Sequence, residues 1–218
     1  MIGYHAADMV QPGMRVGLGT GSTAFFFVQR LIERCAQGLR IEAVASSLQV
    51  MAQARKGGIP LLDLDTTQSL DLTVDSADEI DPQKRMIKGG GGAHVREKIV
   101  ASMSKEVIII VDESKCVQKL GKSKLPVEIL SFAPQATCHR IERLGYHGNI
   151  RLDSTGAPFI TDNGNLIFDI HFASLRENPE EDHEALIHLP GVVDTGFFFH
   201  LAHQVIVGYE SGEILRLE

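Results

Sequence analysis

The chain has 218 residues, of which 44% are hydrophobic and 22% are charged, a balance that is typical of globular proteins and excludes a disordered or collagen-like chain. Its formal net charge of −7 argues against a broad surface for nucleic acid or anionic membranes. No apolar run reaches the length of a membrane-spanning helix, and residues 1–21 lack the pattern of a secretion signal, so we expect no membrane partner and a cytoplasmic location.

The cysteines and histidines do not form the patterns of disulfide or metal sites. Cys35, Cys116 and Cys138 are too far apart for a CxxC pair, and the closest histidines, His200 and His203, have no third ligand nearby in the sequence. We therefore predict no disulfide framework and no metal site.

Short apolar runs alternate with helical periodicity through the first half of the chain. Strands are predicted at residues 14–18, 41–45, 70–74 and 107–111, with helices after Ser22 and before Gly57-Gly58. Strands that alternate with helices indicate an α/β fold with a doubly wound, mainly parallel sheet.

The order of predicted strands and helices changes after Pro126. The pattern there predicts strand 127–132, helix 135–144, strand 149–153, a hairpin of 158–161 and 166–171 around Asn163-Gly164, helix 179–189 and strand 192–199. This resembles a split βαβ arrangement. We predict an inserted smaller α+β (ferredoxin-like) domain at residues 123–198, serving as a lid or for oligomerisation, within a Rossmann-like catalytic domain of residues 1–122 and 199–218, to which strands 205–209 and 214–217 return.

A glycine loop connects the first predicted strand to a helix. Residues 17–23 read GLGTGST, and their backbone amides and the hydroxyls of Thr20, Ser22 and Thr23 can donate to phosphate oxygens. The loop lacks the GxGxxG of a dinucleotide site and the GK[ST] of a P-loop. A bare strand–turn–helix is the alternative, but the hydroxyls around Gly21 favour anion binding.

Carboxylates follow the strand at residues 70–74, at the edge where open α/β sheets bind ligands. Asp75 and Asp78 are nearest the strand end, where they would hold or deprotonate a sugar hydroxyl. A solvated turn or helix cap is the expectation for Glu79 and Asp81, and a magnesium site is the weaker reading of the cluster.

Two further segments complete the candidate site. Lys88 precedes four consecutive glycines and a helix on which Glu97 shares an apolar face with Val100 and Ala101. Partial burial on such a face raises the pKa of a carboxylate toward the range useful for a general base, although a surface ion pair is the alternative. Lys115 follows the strand at residues 107–111, and could supply a cation for a phosphate.

These segments together resemble ribose-5-phosphate isomerase of the A type. The resemblance rests on GLGTGSTA, DSADEID, KGGGGAHVREK and DESK, and it is extended by KLPVEI, TDNGN and LPGVVDTGFF across nearly the whole chain. It implies interconversion of ribose 5-phosphate and ribulose 5-phosphate without metal or organic cofactor, in the non-oxidative pentose phosphate pathway, by a homodimer or dimer of dimers.

The resemblance also implies roles for single residues. Glu97 would move the proton between C1 and C2, Asp75 and Asp78 would engage the sugar hydroxyls, and Lys88 with the glycine amides would stabilise the enediolate oxygen. Contacts to the phosphosugar are implied for Thr20, Gly21, Ser22, Thr23, Asp75, Ser76, Ala77, Asp78, Lys88, Gly89, Gly90, Gly91 and Lys115.

The sequence departs from the family pattern at two places. Ser76 stands where a glycine is expected, and the first helix is short, with no lysine before Lys56. A phosphosugar-sensing effector domain without catalysis is the alternative function, although no helix-turn-helix precedes Gly17 and a sensor would not need Glu97 as a base. Coenzyme A transferases are a third reading, but this chain is short for their large nucleotide pocket.

Overall fold

The computed structural model describes residues 2–217 of the chain. These residues divide into two compact units, the first made of residues 2–77, 96–116 and 200–217 and the second of residues 78–95 and 117–199. The helices are α1 (Ile2–Asp8), α2 (Ser22–Ala36), α3 (Leu48–Lys56), α4 (His94–Ser102), α5 (Pro134–Arg143) and α6 (Pro179–Ile187). The strands are β1 (Arg15–Leu18), β2 (Glu42–Ala45), β3 (Leu70–Asp75), β4 (Glu79–Ile80), β5 (Met86–Ile87), β6 (Ser104–Asp112), β7 (Leu125–Ile129), β8 (Gly148–Ile150), β9 (Leu166–Ile170), β10 (Val192–Thr195), β11 (Phe197–Phe198), β12 (Gln204–Gly208) and β13 (Ile214–Leu217).

The first unit contains a six-stranded sheet in the order β13-β12-β6-β3-β1-β2. All neighbours pair in parallel except the edge strand β13, which is antiparallel to β12. The four strands predicted in the first half of the chain are confirmed, as is the return of the last two strands to this sheet.

Helices cover both faces of this sheet. Ala43 and Ala45 of β2 lie in one apolar cluster with Phe27 of α2, whereas Val44 lies in a second cluster with Val100 of α4. Because successive residues of a strand point to opposite faces, the two clusters lie on opposite faces of the sheet. The predicted doubly wound α/β fold is confirmed.

The second unit contains a four-stranded antiparallel sheet in the order β10-β7-β9-β8. Its elements follow the sequence β7-α5-β8-β9-α6-β10, which gives the predicted ferredoxin-like arrangement. Ile141 of α5 and Leu186 of α6 are buried in one apolar cluster with Val127 and Phe168 of the sheet.

A third sheet, β11-β5-β4, was not predicted. Its strands have two residues each, too short to show alternating hydrophobicity. The strand predicted at residues 192–199 is in fact two strands, because Gly196 separates β10, which pairs with β7, from β11, which pairs with β5. A Cβ on Gly196 would lie 2.3 Å from the Lys88 carbonyl oxygen, so only glycine allows this crossing.

The strand predicted at residues 158–161 is wrong. Pro158 forms only an isolated bridge with Leu152, and the chain then enters a turn in which the Thr161 amide donates to the Asn165 carbonyl at 2.9 Å. The unit boundaries also differ from the predicted ones, because residues 78–95 and 117–122 belong to the second unit, where β4 and β5 pair. The lid or oligomerisation role of residues 123–198 stays a prediction.

Candidate active site

The order of the strands in the first unit's sheet reverses at β1. β2 lies on one side of β1 and β3 lies on the other, with all three strands parallel. Open α/β sheets bind ligands at the carboxyl ends of the strands that flank such a reversal. The predicted glycine loop follows β1 and Asp75 ends β3, so both lie at this edge.

The glycine loop is in contact with the end of β3. The Gly19 amide donates to the Val74 carbonyl at 3.0 Å, and the Thr20 amide donates to Asp75 Oδ1 at 3.1 Å. A Cβ on Gly19 would lie 2.3 Å from that same carboxylate oxygen. Position 19 therefore requires glycine for the loop to bond the carboxylate.

The Thr20 hydroxyl already has partners within the first unit. Its Oγ1 lies 2.8 Å from Ser46 Oγ and donates to Ser47 Oγ at 2.9 Å, while Ser47 also caps α3 by accepting from the Val50 amide. The role of both serines was not predicted, although they follow β2 at this same sheet edge. The predicted donation from the Thr20 hydroxyl to a phosphate stays a prediction.

The start of α2 is a helix N-terminus without a side-chain cap. Gly21 has φ +125°, a conformation that favours glycine. The first amides of a helix lack intrahelical acceptors, and the helix dipole favours a negative charge beside them. Ser22 is exposed and Thr23 is half-buried, so this turn is accessible to an anion.

Ser76 supports the glycine loop. Its hydroxyl donates to the Thr20 carbonyl at 3.2 Å, and its amide donates to Asp75 Oδ1 at 2.7 Å. A Cβ on Gly21 would lie 2.8 Å from Ser76 Oγ. The Ser76 side chain thus adds a bond between the two loops, and Ala77 beside it is buried.

Glu97 lies in the first turn of α4 and is only 4% exposed. Val100 and Ala101, three and four residues further along the helix, are buried as well, so the predicted apolar face around Glu97 is confirmed. Since Glu97 is in the first turn, its carboxyl group lies near the partial positive charge of a helix N-terminus.

Lys115 occupies the short 3₁₀ helix Glu113–Lys115 that follows β6. β6 pairs in parallel with β3, so Lys115 follows a strand end at the same sheet edge as Asp75. Its side chain is half-buried.

The remaining predicted residues belong to the second unit. Asp78 Oδ2 accepts a bond of 2.7 Å from the Gly90 amide, and the Gly92 amide donates to the Gly89 carbonyl at 2.9 Å. The predicted glycine run is therefore an ordered turn, whose central residues Gly90 and Gly91 are exposed.

Lys88 is 3% exposed and precedes this turn. Its amide donates to the Gly196 carbonyl at 2.9 Å, and its Nζ lies 5.3 Å from the centre of the Phe198 ring. A buried ammonium over an aromatic face is held in a cation–π contact.

The solvated turn expected for Glu79 and Asp81 is wrong. They are 1% and 5% exposed, because each has structural donors. Glu79 accepts from the amides of Gly121 and Ser123, and Asp81 pairs with Arg85 at 2.6 Å. These carboxylates hold loops of the second unit together.

Residues 2–217 contain neither a cluster of metal ligands nor a membrane-spanning helix. Within that range no group of three or more histidine, cysteine, aspartate or glutamate side chains is arranged to hold a metal ion. No helix in the described part of the chain is long and apolar enough to cross a membrane.

Comparison with known proteins identifies the family. The sequence profile of ribose 5-phosphate isomerase A (phosphoriboisomerase A) matches residues 42–212. The chain belongs to this family. It is 50% identical over 207 residues to ribose-5-phosphate isomerase A of Protochlamydia amoebophila (strain UWE25), an alignment that covers 95% of this chain and 89% of that protein.

Solved structures of the family share the fold. Ribose 5-phosphate isomerase from Plasmodium falciparum superimposes with a TM-score of 0.95 at 37% identity, covering 100% of this chain and 96% of that one. A D-ribose-5-phosphate isomerase in complex with phospho-erythronic acid has a TM-score of 0.93 at 34% identity, covering 99% and 95%. The chain is therefore an isomerase of this family, and these matches give the effector alternative no support.

Proposed function

We propose that this member of the ribose 5-phosphate isomerase A family interconverts ribose 5-phosphate and ribulose 5-phosphate through an enediolate, with Glu97 as the base. The observation that carries the proposal is the placement of Glu97, a carboxylate 4% exposed in the first turn of α4. The burial of Glu97 shields the base from competing water. Its position in the first turn of α4 also places it near the partial positive charge of a helix N-terminus.

The proposed reaction conserves atoms and charge. In the open-chain aldose, Glu97 takes the proton from C2, and the electron pair of that bond forms the double bond between C1 and C2. The carbonyl oxygen on C1 gains the negative charge. A proton then passes from the oxygen on C2 to the oxygen on C1, and Glu97 returns its proton to C1 to give the ketose.

The other candidate residues receive roles that match their chemistry. Asp75 and Asp78 are proposed to engage the sugar hydroxyls and to assist ring opening. Lys88 and the amides of the turn Gly89, Gly90 and Gly91 are proposed to stabilise the enediolate oxygen, since preformed donors lower the energy of developing charge.

The phosphate is proposed to bind at the start of α2. Gly21, Ser22 and Thr23 offer amides and hydroxyls at an uncapped helix N-terminus, and Lys115 offers a cation at the same sheet edge. Thr20, Ser76 and Ala77 are proposed as further contacts. The relative that binds phospho-erythronic acid supports this class of ligand, because that molecule carries both a phosphate and a carboxylate.

An isomerisation assay of the purified chain tests the proposal. We expect ribulose 5-phosphate to form from ribose 5-phosphate, whereas unphosphorylated ribose should react far more slowly. Binding of ribose 5-phosphate without turnover would instead favour a sensing module and would overturn the proposal.

We further propose a cytoplasmic homodimer or dimer of dimers that acts in the non-oxidative pentose phosphate pathway. The cysteines Cys35, Cys116 and Cys138 are free, which suits a reducing compartment. Light scattering of the purified protein measures the assembly.

A further inference from the structure

The central peptide of the Gly89–Gly92 turn is free of the backbone restrictions that a side chain would impose. The Gly89 carbonyl accepts from the Gly92 amide at 2.9 Å, which closes a β-turn whose two central residues are Gly90 and Gly91. Neither central residue has a positive φ, as in a type I turn, whereas a type II turn needs a positive φ at its third residue. Glycine allows both forms, so the Gly90–Gly91 peptide can flip unless something holds it.

Arg151 contacts both carbonyls of this turn. Its Nη1 donates to the Gly89 carbonyl at 2.9 Å and to the Gly90 carbonyl at 3.0 Å. In a trans peptide the carbonyl and the following N–H point in opposite directions. The Gly90 and Gly91 amides are therefore directed away from Arg151, and the first of them donates to Asp78 Oδ2 at 2.7 Å.

The guanidinium is itself held firmly. Arg151 is 9% exposed and bonds Asp169 through two atoms, with Nε at 2.9 Å from Oδ2 and Nη2 at 2.5 Å from Oδ1. Lys124 reaches the same carboxylate at 2.6 Å, and the Phe159 ring centre lies 5.8 Å from the guanidinium carbon. A planar fork paired in this way has little freedom to move.

We propose that Arg151 is a positioning residue that locks the Gly89–Gly92 turn in its type I form and thereby fixes the direction of the Gly91 amide. The proposal rests on the proposed function, in which the amides of this turn face the enediolate oxygen. Loss of Arg151 allows the Gly90–Gly91 peptide to flip. The flip would turn the Gly91 amide away from the enediolate oxygen and point the Gly90 carbonyl toward it. Arg151 does not touch the substrate in this account.

The test compares Arg151→Met with Lys124→Met, which removes the other cation on Asp169 without touching the turn. For Arg151→Met we expect kcat to fall by about 10- to 100-fold, somewhat less than the loss of a whole oxyanion donor. Inhibition by phospho-erythronic acid should weaken by a similar factor, while KM and inhibition by inorganic phosphate stay within about twofold. Lys124→Met should keep kcat within about threefold of the parent.

Arg151→Lys provides a second variant that keeps the charge beside Asp169 but cannot form the planar fork, and we expect a fall in kcat of at least about fivefold. If circular dichroism shows that Arg151→Met does not fold, the kcat of Arg151→Lys tests the proposal instead. Parental kcat in a folded variant, or equal weakening of both inhibitors, overturns the proposal. If the parent itself fails to isomerise ribose 5-phosphate, the proposed function has failed and not merely the role of Arg151.

Discussion

Glu97 is the residue on which the proposed chemistry depends. We expect Glu97→Gln to lower kcat by about 10²- to 10⁴-fold, the range for loss of a general base, because the amide cannot accept the proton from carbon. The substitution keeps the shape of the side chain, so the melting temperature and the KM should change little. Turnover is measured with ribose 5-phosphate, and a near-parental rate in the purified variant would assign the proton transfer to another group.

Lys115 is the cation proposed to pair with the phosphate. Charge-assisted bonds contribute about 1.5 to 3 kcal/mol, so Lys115→Ala should raise the KM for ribose 5-phosphate by about 10- to 100-fold. Unphosphorylated ribose is the control substrate, and an equal effect on both sugars would mean that Lys115 contacts the sugar or supports the loop.

Asp169 makes stability depend on pH. Burial alone would raise its pKa, but the bonds from Arg151 and Lys124 outweigh burial and lower the pKa below its usual value. A group with a lowered folded-state pKa stabilises the protein above its unfolded pKa and loses this effect as the pH falls through the folded value. Asp169→Asn should therefore cost about 3 kcal/mol at pH 7 and progressively less below about pH 4.

Urea unfolding at pH 7 and below about pH 4 measures the free energy of unfolding of each protein. Glu177→Gln is the matched control, because Glu177 pairs with Lys119 at an exposed site and should cost less than about 1 kcal/mol. A cost for Asp169→Asn that is equal at the two pH values would contradict the role given to its charge.

At the scale of elements, the connection from β1 to α2 depends on a close approach to Asp75. Gly19→Ala would place a Cβ 2.5 Å from the Asp75 Cα, a backbone atom that cannot move aside easily. We expect a loss of stability above about 2 kcal/mol and a large loss of activity, since the loop would leave the carboxylate. Gly145→Ala is the control, because its φ is +90° with no atom nearby, so it should cost only about 1 kcal/mol and leave kcat unchanged.

The elements that sequence patterns could predict are those with a clear period. Apolar residues are numerous in β1, β3 and β6 and on the periodic face of α4. Their pattern is enough to predict whether each segment is a strand or a helix and at which edge of the sheet the strands end. The two-residue strands β4, β5 and β11 carry no period, and the change of sheet at Gly196 depends on how closely the chain approaches Lys88.

For the whole molecule, site residues with a local sequence pattern could be predicted, and those that depend on distant contacts could not. Glycine loops and strand-end acids such as Asp75 have local signatures, so their location could be predicted. Arg151 lies far along the chain from Gly89 and Gly90, and no local pattern relates an arginine to carbonyls that it meets only after folding. Buried supports such as Glu79 were missed for the same reason, because their donors are distant in sequence.

The central claim is a proton transfer through an enediolate that requires no divalent ion. The most direct measurement is isomerisation of ribose 5-phosphate in D₂O by the parental protein after exhaustive EDTA treatment, followed by NMR. We predict full activity, with deuterium entering at C1 or C2 to the extent that the Glu97 proton exchanges with solvent. A loss of activity that magnesium or manganese restores would contradict this account and make Asp75 and Asp78 candidate metal ligands.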